Sequence, residues 1–86
     1  MILQLIDIGV RDKQAHPRLA GRVTGHVRAV LLESRGGEEQ THDLVIPVWA
    51  DGTDAMSDAD IDMALMLRAA RIIDRMRARL GARARG

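Results

Sequence analysis

The sequence predicts an α+β domain: a three-stranded antiparallel meander followed by one long C-terminal helix packed on one sheet face. Three observations carry this. Gly36-Gly37 separates two stretches of alternating apolar and polar residues, Pro47 falls where only an outer strand tolerates it, and apolar residues recur at helical spacing from Ile61 to Leu80. The chain has 86 residues, too few for two independent cores. One domain is expected over residues 1–81. Residues 82–86 are expected to form a frayed tail, because Gly81 is a natural helix stop.

The first strand is read from residues 1–11, rich in Ile, Leu and Val. Residues 12–21 contain His16-Pro17 and end in glycine, the composition of a loop. Residues 22–33 and 40–50 then form a hairpin. A two-residue turn of the favoured mirror-image type needs positive φ at both central positions, which two glycines supply without strain. With Gly36-Gly37 as the turn, one face pairs Leu31 with His42, Ala29 with Leu44, Val27 with Ile46, Gly25 with Val48 and Val23 with Ala50. That face is almost wholly apolar, so turn chemistry and alternation select the same register. Arg22 with Asp51, Thr24 with Trp49, His26 with Pro47, Arg28 with Val45 and Val30 with Asp43 make up the other face. Pro47 then sits in a non-hydrogen-bonded pair, its missing N–H directed away from the partner strand. This places the third strand at an edge and the first beside the second.

Ser57 followed by Asp60 marks the start of the helix, with Asp58, Asp60 and Asp62 complementing its positive end. Ile61, Leu65, Ala69, Ile72, Met76 and Leu80 recur in steps of three and four and span an arc of about 100°, widened by Met66 and Ile73. Arg68, Arg71, Arg75 and Arg79 occupy an adjacent arc, and Met63, Leu67 and Ala70 the far side.

With no cysteine, disulfides and thiolate metal sites are excluded. Aromatic residues amount to 1% of the chain, so the core is aliphatic and Trp49 stands alone. No apolar run reaches the roughly 18 residues of a membrane span, and Asp7 interrupts the opening apolar stretch, so a cytoplasmic protein without a membrane partner is expected. The net charge of +1 conceals segregation: residues 1–35 carry six basic and three acidic groups, residues 36–67 eight acids and no Lys or Arg, residues 68–86 seven Arg and one Asp. Such blocks either neutralise one another within a fold or dimer, or steer association.

No catalytic constellation emerges. His16, His26 and His42 are scattered, with His26 and His42 on opposite sheet faces. Asp58-Ala59-Asp60-Ile61-Asp62 lacks the glycine and closing carboxylate of a calcium loop, and serves as a helix start. Ser34 and Ser57 have turn and cap roles. The expectation is a non-enzymatic interaction module with no cofactor and no metal. It is expected to be homodimeric and to bind an unidentified protein through Trp49, Val45, Arg28, Asp51 and Asp54. Trp and Arg together are typical of interface anchors. A small phage or mobile-element protein that blocks a host factor would fit this description. The alternative is a nucleic-acid-associated protein using Arg68, Arg71, Arg75 and Arg79, less favoured because base-stacking aromatics are lacking.

Overall fold

The computed structural model describes residues 2–85, with side chains described to Arg79. Strands β1 (Ile2–Ala15), β2 (Val23–Arg35) and β3 (Glu38–Ala50) form one antiparallel sheet in the order β1-β2-β3. A short 3-10 turn (Thr53–Ala55) leads into helix α1 (Asp58–Arg85), which packs on one face of the sheet.

The hairpin follows the predicted register throughout, from Arg35 with Glu38 at the turn to Val23 with Ala50 at its open end. Gly36 and Gly37 have φ of 58° and 84°, the left-handed geometry the tight turn demands. Pro47 lies on the outer strand, where no ladder bond is lost. The core is a single α/β layer contact. Val27, Ala29, Leu31, Val48 and Ala50 of the sheet are buried against Leu65, Ala69 and Ile73 of α1. Ile8 and Ile46 pack against both halves of this core.

Four features depart from the sequence reading. First, β1 continues to Ala15, so the expected loop loses residues 12–15 to the sheet. Its pairing with β2 shifts register between Leu5 and Asp7 and again between Val10 and Asp12. Each shift inserts one extra residue and returns the following apolar side chains to the helix side, as β-bulges do. Second, His16 organises the shortened loop. Its Nδ1 accepts the backbone N–H groups of Arg18 and Leu19 at 3.0 and 2.9 Å, so the ring proton sits on Nε2.

Third, the buried stripe of α1 runs through Leu65, Ala69 and Ile73, with Ile61 and Ile72 only half-buried and Met76 exposed. From Asp74 to Arg79 every residue is exposed, so the helix has left the sheet by the turn that carries Met76. The side chain of Leu80, assigned to the stripe from sequence, lies outside the described residues. Fourth, α1 runs through Gly81 to Arg85. A single helical glycine costs only about 1 kcal/mol relative to alanine, and the flanking Ala, Arg and Leu are good helix formers.

At its start α1 is capped as expected: Ser57 Oγ accepts the Asp60 backbone N–H at 3.1 Å. The acids there do more than complement the helix end. Asp58 and Asp62 both hold Lys13 Nζ, the former at 2.7 Å, clamping the helix start to the end of β1. Thr53, buried at the β3–α1 connection, donates from its backbone N–H and its hydroxyl to the Gly21 carbonyl at 3.0 and 2.9 Å.

Candidate functional site

The face of the sheet opposite α1 is uncovered. Register fixes what lies there. Thr24, His26, Arg28, Val30 and Leu32 of β2 are flanked by Gln14, Asp12, Gly9, Asp7 and Gln4 of β1, and by Trp49, Pro47, Val45, Asp43 and Thr41 of β3. Polar side chains on this face hold one another. Arg28 donates two hydrogen bonds to Asp43 at 2.9 and 2.6 Å, and Asp12 meets His26 Nδ1 at 2.9 Å. Val45 stays 45% exposed between them.

At the open end of the hairpin stands Trp49, 40% exposed. As an outer-strand residue it reaches past the sheet edge to the helix. The Arg68 guanidinium carbon lies 4.2 Å from the ring centroid and that of Arg22 5.9 Å, both within cation–π range. Arg22 is itself fixed by two hydrogen bonds to Asp51 at 2.7 and 3.1 Å. The ring borders a hollow of about 380 Å³ on the open face, lined also by Asp12, Gln14, Arg22, Thr24 and His26. It also lines a groove of about 160 Å³ with Arg68, Arg71, Ile72 and Arg75.

Trp49 and Asp51 are thus brought together, as the sequence reading grouped them, and Arg28 and Val45 face each other across the hairpin. Asp54 stands apart, its carboxylate beside Gly21 in the turn before α1. Arg68, which the sequence assigned to a separate nucleic-acid surface, belongs to the Trp49 site. The two surfaces expected as alternatives are therefore continuous. Arg22 went unrecognised as a site residue. Its signal was its register position opposite Asp51 and next to the Thr24–Trp49 pair.

Half of the acids in the middle of the chain pair with cations of its first third. Asp43, Asp51, Asp58 and Asp62 are taken by Arg28, Arg22 and Lys13. Among the described residues Arg71, Arg75 and Arg79 make no ion pair, and the Asp74 carboxylate meets Arg77 at 3.6 Å. Hydrogen bonding from Arg28 holds the Asp43 carboxyl below its ordinary range, and Arg22 does the same to Asp51. Hydrogen bonds to Asp58 and Asp62 raise Lys13.

The sign of the pH dependence follows. Depressed carboxylates contribute stability that is present above their ordinary range and is lost as pH falls through the lower folded-state values. The urea midpoint is therefore expected to decline at the acid end of a pH series, and Asp43→Asn combined with Asp51→Asn to make that decline shallower. The raised Lys13 contributes stability lost only as pH rises through its folded-state value, above the ordinary lysine range.

Among the described residues no group of three or more metal-ligating side chains comes together, and no helix is long and apolar enough to cross a membrane. Comparison with protein-family models, curated proteins and solved structures finds no match to this chain.

Proposed function

We propose that this chain is a non-enzymatic interaction module, working in the cytoplasm as a homodimer and binding a protein partner through the Trp49 end of the open sheet face. The observation that carries this reading is the contact of Trp49 with both Arg68 and Arg22 beside an open hollow. An indole held by two guanidinium groups loses little conformational freedom on binding, and its remaining exposed surface is what a partner would cover. The reciprocal pairs Arg28–Asp43, Arg22–Asp51 and Asp12–His26 suit a surface that keeps its shape.

Photo-cross-linking in the native host tests it, with the reactive residue at Val45. A discrete protein adduct that disappears in the Trp49→Ala background is expected. An adduct indifferent to Trp49 would refute the assigned surface.

A second reading is favoured by the groove of Arg68, Arg71 and Arg75, whose guanidinium groups suit phosphates. Titration with duplex and single-stranded DNA over a salt series separates the two. Binding that falls steeply with salt and is abolished by Arg71→Ala with Arg75→Ala would replace the protein partner with a nucleic acid.

A further inference from the structure

The outer face of α1, directed away from the sheet, carries a second apolar seam. Met63 is 55% exposed and Leu67 52%. Asp60, Met63, Leu67 and Ala70 follow one another in steps of three, four and three, the repeat of a helix–helix seam. Ala70 is small enough to let a second helix approach closely. Met56, exposed, extends the apolar surface beyond the helix start, in a hollow that Leu67, Arg68 and Arg71 line together with Trp49 and Asp51.

Charge along this face is polarised. At the N-terminal end stands Asp60, exposed and without an ion pair among the described residues. Toward the C-terminal end stands Arg71, exposed and likewise without an ion pair among the described residues, while Asp74 and Arg77 pair with each other. Two helices laid parallel would set like charge against like; laid antiparallel, each acidic end meets a basic one.

We infer that α1 pairs antiparallel with α1 of a second copy through this outer face, Met63 of each chain meeting Leu67 of the other. The register follows from placing the two most exposed apolar side chains against each other. It sets Asp60 beside Arg71 of the second copy. Asp60 and Arg71, which make no ion pair among the described residues of one chain, then gain partners. The site around Trp49 stays on the flank of each protomer, so the dimer would present it twice, and avidity for a repeated or dimeric partner would follow. This inference rests on the homodimer proposed above and names its surface.

The test is sedimentation equilibrium of the full chain over a micromolar range, joined to cysteine cross-linking, which the cysteine-free sequence permits without background. Wild type and Trp49→Ala are expected at twice the chain mass. Leu67→Glu and Met63→Glu are expected to raise the dissociation constant about ten-fold or more while leaving the helical circular dichroism intact. Mixed Met63→Cys and Leu67→Cys chains should cross-link to each other faster than either does to itself. Wild type at one chain mass throughout would overturn the homodimer and this surface together, leaving the Trp49 reading to its own experiment. A dimer that survives both glutamates would overturn this surface alone. Preferential Met63→Cys self-linking would overturn the antiparallel arrangement.

Discussion

Ile73→Asp is expected to abolish folding at room temperature. Ile73 is 1% exposed and packs against Ala29 and Leu31 of the central strand, with Leu5, Ile8, Leu44 and Ile46 around them. An aspartate there exchanges an aliphatic side chain for an ionisable one without a partner, at a cost of several kcal/mol. A chain of 86 residues has only about 4–13 kcal/mol in total, and a lone α/β layer with no disulfide belongs at the low end. Circular dichroism and a urea titration read the outcome. The neighbouring Ile72→Asp is expected to cost less, since half-buried Ile72 can turn its replacement toward the arginine groove. Arg75→Ala should stay within about 0.5 kcal/mol of wild type. Equal losses at Ile73 and Arg75 would mean that α1 presents a different face to the sheet.

Gly25→Ala has the second-largest expected effect, and it acts through the backbone. A Cβ at Gly25 would stand 2.3 Å from the Asp12 carbonyl oxygen and 3.1 Å from the Lys13 Cα. These are atoms of the adjacent strand immediately after its second register shift, so no side-chain rotation relieves the clash. The bulge would have to open, weakening the end of β1 that carries Lys13 to Asp58 and Asp62. Overpacking of this kind costs about 1–3 kcal/mol, and each kcal/mol lowers the melting temperature of a domain this size by about 4–8 °C. Gly9→Ala is the matched control: it lies in the same sheet, and its added Cβ would meet nothing within 4 Å. Its melting temperature should equal or slightly exceed that of wild type, because alanine restricts the unfolded chain.

Both variants bear on how far the sequence could be read. The β2–β3 register was legible because two independent constraints agreed: a glycine pair that permits one turn type, and alternation that buries one face. Pro47 then fixed the order of the strands. The phase of α1 was legible only approximately. The apolar arc continues in sequence through Met76 and Leu80, yet from Asp74 to Arg79 the helix lies beyond the sheet. Without those positions the stripe turns toward Ile73, where the core lies. β1 extends past its alternating pattern for a related reason. Strict alternation fails at both bulges, although Leu3-Leu5, Ile8-Val10 and Lys13-Ala15 resume the same face after each extra residue. The trace in the sequence was a period of two interrupted by threes.

The candidate site was legible in its members and not in its connection. Trp49, Asp51, Val45 and Arg28 follow from the hairpin register. That Arg68 lies over Trp49 depends on the helix passing beside the outer strand, a tertiary relation no local pattern encodes.

The bulges in β1 and the proline in β3 act jointly on the two margins of the sheet. An exposed strand margin is a template on which another extended chain can grow, the first step of ordered aggregation. Two interruptions break the bonding row along one margin, and along the other Pro47 removes an outward donor midway. Neither margin offers an unbroken ladder, so polymerisation by strand addition is blocked at its first step. In a chain with 47% hydrophobic residues and a bare sheet face, the two margins are thus the part of the surface least open to another extended strand.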